Sequence, residues 1–215
     1  MSDLPRTDDQ LSAPRWRRRK EARPAEILEA ALSVFAENGF AAANLTEIAR
    51  RAGVSKAALY LYFETKEDLF RAAARTLVAP NLTAIGEALE ASDVPFAELA
   101  PLLLTRAAAV LGDSRAGDVV KMVIGESRNF PDLARIWRED VVEQMLTLLA
   151  RLIARSQTRG EVVAGDPRLF AFTLMGPLIM GALFGAVFGP DEAPDLASLV
   201  KQHAEAVVRG LTPPR

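Results

Sequence analysis

The sequence predicts an all-α chain in two parts, a three-helix N-terminal unit and a larger helical bundle behind it. Three observations predict this. Residues 44–66 read as two short helices joined by a tight turn. Beyond them, apolar residues recur at helical spacing between breaks at 92–95, 112–117, 129–131, 160–167 and 189–194, where Gly, Pro, Asn and Asp gather. No apolar–polar alternation lasts long enough for a strand; Glu161-Val-Val-Ala164 is the one candidate, short and isolated.

The first helix follows from a stripe of Ile27, Leu28, Ala31, Val34 and Phe35, with Pro24 at its start and Gly39 ending it. Phe40 is expected to pack beneath the next two helices. Asn44 is a good N-cap, and Glu47 three positions later allows a capping box. Leu45, Ile48, Ala49 and Ala52 give one apolar face over two turns. Gly53 suits the left-handed position that stops a helix, and Val54 is a buried turn residue. Ser55 caps a second helix from Lys56 to Tyr62, in which Leu59 and Phe63 face the core. Lys56, Ala57, Tyr60, Leu61 and Tyr62 are left outward. Two tyrosines and a lysine there make little sense as core, whereas a helix-turn-helix lays such a surface in the DNA major groove. Thr65 caps a fourth helix with Glu67 and Asp68 in its first turn, Leu69, Phe70 and Ala73 inward, and Pro80 at its expected end.

Ile48-Ala49, Ala52-Gly53-Val54-Ser55, Leu59-Tyr60, Tyr62-Phe63 and Lys66-Glu67-x-Leu69 together resemble the DNA-binding domain of the TetR family of bacterial regulators, over roughly 23–79. Asn44 stands where many relatives have Thr, and Ala57 where they have Gly or another small residue. The resemblance implies that Tyr60, Tyr62 and Lys66 hold phosphates. It implies too that Lys56, Ala57 and Leu61 lie nearest the base edges, that Thr46 reaches in from the preceding helix, and that Asn44 and Ser55 belong to the same surface. Residues 126–133, followed by an amphipathic helix with Trp137, are more loosely similar to the C-terminal domain of efflux-type (AcrR-like) members.

Charge placement agrees. The chain carries −2 overall, but residues 15–75 hold twelve Lys/Arg against eight Asp/Glu, a balance of +4. Positive charge therefore sits with the helix-turn-helix, as phosphate binding requires. The densest run is Arg15-Trp-Arg-Arg-Arg-Lys20. Residues 1–20 are read as a flexible basic arm whose Arg17 and Arg18 neutralise phosphates or enter a minor groove, the alternative being a tail that stays solvated. Residues 21–81 are then the DNA-binding domain and 82–215 the ligand-binding and dimerisation domain.

Other classes find little support. The absence of cysteine excludes disulfides, thiolate metal sites and a cysteine nucleophile. With one histidine (His203), no phosphate-binding glycine loop and no metal-ligand spacing, an enzyme is not expected, nor a cofactor or metal. The start, Met1-Ser-Asp-Leu-Pro-Arg6, lacks a signal-peptide layout, so residence in a bacterial cytoplasm is expected.

Residues 169–188 hold twenty residues without a charge, the length of a membrane span, with Gly181, Gly185 and Gly189 spaced as in paired membrane helices. Pro177 at mid-helix, the lack of a flanking basic cluster and the DNA-reading head favour a buried dimer interface instead, with no membrane partner. Its candidates are Gly181, Gly185 and Phe188, with Leu199, Val200, His203 and Val207 from the last helix. Flexible methionines and flat aromatics suggest a ligand pocket walled by Leu103, Met122, Phe130, Trp137, Met145, Phe172 and Met175, the alternative being that they simply fill the core. Glu126 and Arg128 either orient a polar end of that ligand or form an exposed or mutually paired face.

The expectation is a regulator that binds a palindromic double-stranded DNA operator as a homodimer. By resemblance it represses more often than it activates, and a small, largely apolar molecule releases it by favouring one spacing of the paired heads. The alternative is a ligand-independent DNA-organising or activator protein with the same head.

Overall fold

The computed structural model describes residues 15–90, 94–112 and 114–214, with side chains described in 24–88, 94–112 and 115–214. Among them every regular element is helical, as predicted: α1 (Arg15–Ala42), α2 (Leu45–Arg51), α3 (Lys56–Tyr60), α4 (Lys66–Glu90), α5 (Phe96–Leu111), α6 (Ser114–Glu126), α7 (Pro131–Trp137), α8 (Glu143–Thr158), α9 (Pro167–Phe188) and α10 (Leu196–Leu211). A π turn at Arg138–Val142 joins α7 to α8, and a 3-10 turn at Pro190–Glu192 precedes α10.

Local signals set most boundaries. Gly39 adopts φ 77° and ψ 169°, so helical geometry stops there and residues 40–42 form a separate turn. The Asp68 N–H donates to Thr65 Oγ1 (3.0 Å) at the start of α4. Pro24, expected at a helix start, lies inside α1, which begins at Arg15 and so takes in part of the expected flexible arm. The side chains of Arg17 and Arg18 lie outside the described residues.

Pro80 does not end α4. An interior proline frees a carbonyl and costs about 3 kcal/mol, but continuing the helix buries Ala84, Ile85 and Ala88. The proposed domain boundary at 81/82 therefore falls within one continuous helix. Gly117, expected in a break, is inside α6, where a Cβ would stand 2.9 Å from the Ala182 carbonyl. Its missing side chain lets α6 and α9 cross closely.

Two cores result. The first gathers Ile27, Phe35, Phe40, Ile48, Leu59 and Phe70 and continues into Val119, Met122 and Leu133 of α6 and α7. Phe35, Phe40 and Phe70 form a trio with ring centroids 5.6–5.8 Å apart. The second core joins the far half of α4 to α5, α8, α9 and α10 through Ile85, Leu104, Leu149, Leu178 and Val200.

By length and composition α9 suffices to cross a membrane, with a mean hydropathy of 1.9 over its most apolar window. It is not apolar on all sides for the reason expected. Ala171, Leu174, Leu178, Gly181 and Ala182 are buried within the chain, while Leu169, Phe172, Met180, Phe184, Val187 and Phe188 are exposed. The glycines serve the buried side. A Cβ on Gly181 would lie 2.7 Å from Leu196 Cδ2 and 3.1 Å from Leu199 Cδ2, and one on Gly185 would lie 3.2 Å from Ala193 Cβ. Within the chain they accommodate α10 and its lead-in. Val200 and Val207 point into the second core, Leu199 packs toward Gly181, and His203 Nε2 lies 3.0 Å from the Leu174 carbonyl. Of the seven interface candidates, Phe188 alone lies on the open face.

Candidate nucleic-acid interface and ligand cavity

The helix-turn-helix is held by short-range bonds. Asn44 is extended at φ −110°, and its Oδ1 accepts from the Thr46 N–H at 2.8 Å. Glu47 does not return to Asn44 to complete the capping box. It accepts from Arg50 Nε (2.8 Å) and Nη2 (2.7 Å) and from Arg51 Nε (2.8 Å). Arg51 also donates to both oxygens of Glu37, at 2.6 and 2.7 Å. Two guanidinium groups one turn along the helix outcompete a single backbone N–H for the carboxylate. Hydrogen bonds from Arg50 and then Arg51 hold the Glu47 carboxyl at about 2, and the bond from Arg51 lowers that of Glu37.

Gly53 takes the left-handed conformation (φ 66°), and Ser55 Oγ accepts from the Ala58 N–H at 3.1 Å. These place α3 with Leu59 fully buried and Lys56 and Ala57 exposed. Tyr60 is 44% exposed, Tyr62 40% and Leu61 85%. Lys56 Nζ stands 6.0 Å from the Tyr60 ring centroid. Thr46 is exposed on the preceding helix. The geometry thus brings together on one face the outward residues that the sequence singled out.

Lys66 departs from that set. Its ammonium donates to the carbonyls of Phe40 (2.7 Å), Ala41 (3.2 Å) and Ala43 (3.3 Å), and lies 4.7 Å from the Phe40 ring centroid. Its three donors are used in closing the turn after Gly39, a structural role that the sequence reading had not assigned to it. The same turn is gripped from the other side. Glu126, at the end of α6, accepts from the Phe40 N–H (2.9 Å) and the Ala41 N–H (2.7 Å). Neither sequence reading of Glu126 anticipated this; the carboxylate ties the bundle to the head. Arg128 is exposed.

A cavity of about 370 Å³ lies between α4, α6, the π turn, α8 and α9. Four expected wall residues line it: Trp137, Met145, Phe172 and Met175. Leu103 instead borders an adjoining void of about 20 Å³, together with Met145 and Met175. Met122 and Phe130 are turned toward the first core, where the Phe130 ring meets Phe40 at 5.3 Å between centroids. They lie on the side of α6 and α7 that covers the head, which is why neither reaches the cavity. Leu77, Val78 and Asn81 of α4 were not anticipated in the wall. Asn81, polar within the apolar run 77–85, was the available signal. A larger groove of about 810 Å³ runs between α5 and α10, but α4 contributes nothing to it.

The π turn is shared between cavity and head. Val141 and Val142 line the cavity, while the preceding Asp140 faces α4. Asp140 accepts from Arg75 Nε at 2.8 Å, bonds Arg75 Nη2 as well, and lies 3.1 Å from Arg71 Nε. Its side chain is only 10% exposed.

Residues 27–73 match the sequence model for bacterial regulatory proteins of the tetR family, and residues 101–210 match that for the tetracyclin repressor-like C-terminal domain. The chain belongs to the TetR family. It is 25% identical over 195 residues to the fatty acid metabolism regulator protein of Bacillus subtilis, covering 89% of this chain and 98% of that one. A TetR-family regulator from Mesorhizobium loti superimposes with a TM-score of 0.73 at 28% identity, covering 89% of this chain and 96% of its own. FadR from Bacillus subtilis, solved in complex with stearoyl-CoA, has the same fold with a TM-score of 0.71 at 23% identity, covering 86% and 98%. The protein is thus a DNA-binding transcriptional regulator of the TetR type.

Proposed function

We propose that the protein is a repressor that binds a palindromic operator as a homodimer in a bacterial cytoplasm and is released by a small, largely apolar ligand. One observation carries the ligand-released reading: Leu77, Val78 and Asn81 in the cavity wall belong to α4, the helix that begins directly behind the recognition element. A ligand that fits the cavity better in one setting of α4 biases the head by its differential affinity for the two settings. Lys56, Ala57 and Leu61 are assigned to base edges, and Tyr60 and Tyr62 to phosphates, with Thr46 reaching from α2. The exposed stripe of α9 is assigned to the dimer contact, since a soluble monomer rarely leaves a contiguous apolar face of this kind open.

A long acyl chain is one ligand this reading accommodates, because the wall is overwhelmingly apolar and the similarly folded FadR was solved with stearoyl-CoA. The test compares affinity for the intergenic DNA beside the gene with affinity for bulk DNA at fixed salt, and repeats it with acyl compounds and other apolar molecules. Specific binding that a ligand weakens supports the repressor reading. Specific binding that no ligand alters favours the ligand-independent organiser or activator.

A further inference from the structure

We propose that Asn81 is the residue through which the cavity recognises its ligand, and that this ligand is an apolar molecule with one uncharged hydrogen-bonding group: a hydroxyl, an amide or an ester carbonyl. The inference rests on the cavity being the ligand site proposed above.

Asn81 is 7% exposed, yet it lines both the 370 Å³ cavity and the 20 Å³ void beside it. Among the described residues, nothing hydrogen-bonds its side-chain amide. Its amide therefore opens onto the cavity with no partner from the protein, and an amide covered by an apolar ligand without a new hydrogen bond would carry a desolvation cost. Its neighbours in the wall are aliphatic, methionine and aromatic side chains, so the wall offers the amide no polar side chain beside it. A ligand supplies the missing partner.

The wall also limits what that partner is. It contains no Lys, Arg or His, so a carboxylate or phosphate placed beside Asn81 would be buried without a counter-charge. The primary amide both donates and accepts, which suits a neutral carbonyl or hydroxyl equally well. Among the described lining residues the other polar side chain is Trp137, whose indole N–H is a donor only. At about 370 Å³ the cavity is near the lower end of the roughly 300–1,000 Å³ typical of ligand sites, which favours a single chain or a compact ring system. A bulky charged group attached to such a ligand would have to remain outside.

The full-length protein is titrated calorimetrically with 1-octanol, octanamide, octanoate and nonane, the last being the alcohol with methyl in place of hydroxyl. Wild type should bind the alcohol and the amide about ten-fold more tightly than nonane, a ratio typical of one buried hydrogen bond, and should bind octanoate most weakly. Asn81→Leu, close in size, should bind nonane at least as tightly as the alcohol. It should also melt no lower than wild type when ligand-free, since no hydrogen bond within the protein is lost and an apolar side chain joins an apolar wall. Asn81→Ala, which adds only space, should show the same loss of preference. If the variants keep the wild-type preference, or if Asn81→Leu melts well below wild type, the role of Asn81 is overturned while the cavity reading stands. If none of the four probes binds either wild type or variant, the cavity reading fails and this inference falls with it.

Discussion

Leu61, 85% exposed at the end of the recognition helix, and Lys66, five residues later, show how differently neighbouring side chains are used. Leu61 has no partner within the fold that would justify an apolar side chain there, which is why it is assigned to a base edge. Lys66 has three carbonyls. Lys56→Ala should therefore change which operators are preferred, whereas Lys66→Met should act on the fold. Leaving those carbonyls short of a charged donor is expected to cost about 1–3 kcal/mol. Denaturant melts, together with binding at several salt concentrations, separate the two: the salt slope should hold in Lys66→Met. Asn44, Gly53 and Ser55 were legible in the sequence because each acts on backbone within three residues of itself. Lys66 and Glu126 were not, because their partners lie up to 86 residues away and spacing carries no trace of them.

Among the elements, α2 carries a titratable staple. Hydrogen bonds from Arg50 and Arg51 depress Glu47 to about 2, and Arg51 lowers Glu37. A carboxyl whose folded value lies below its unfolded one contributes stability that is present above the unfolded value and is lost as pH falls through the folded one. The staple should thus weaken between about pH 4.5 and about 2, and Glu47→Gln should flatten the stability–pH curve in that window. A second element carries coupling. Inserting a π turn between α7 and α8 sets Val141 and Val142 toward the cavity and Asp140 toward Arg71 and Arg75; such turns often mark functional positions in helices. Asp140→Asn is expected to cost about 1–3 kcal/mol and to reduce the ligand's effect on DNA affinity more than it reduces ligand affinity. Parallel ligand and DNA titrations check this. The helix pattern of 131–158 was legible from its apolar periodicity, but one extra residue in a turn leaves that periodicity almost intact, so the π turn was hidden. Pro80 misled for the converse reason: its local cost is plain, and the burial that offsets it is tertiary.

For the whole molecule, the exposed apolar face assigned to the dimer contact belongs to α9. Phe172, Gly176, Met180, Phe184 and Phe188 follow one another at intervals of four along it, and the Phe184 and Phe188 rings are 4.6 Å apart. If two copies meet there, Met180→Glu and Phe184→Glu should sediment as folded monomers at concentrations where wild type is dimeric. Wild type sedimenting as a monomer at micromolar concentration would sink the dimer reading. That α9 is a special helix was legible from its composition. Which of its faces is free was not, because Gly181 and Gly185 look the same whether they accept a neighbouring molecule or the chain's own Leu196 and Ala193.

The turn after Gly39, gripped by Glu126 from the bundle, also gives the protein a built-in reporter. The Phe40 and Ala41 amide protons point at a carboxylate on another part of the chain, so parting head from bundle removes their acceptor. In a deuterium-exchange time course, DNA or ligand that separates the two should speed these two sites together, while amides inside α2 and α6 keep their protection. Glu126→Gln, which weakens the grip without removing the acceptor, should speed the same pair in the free protein.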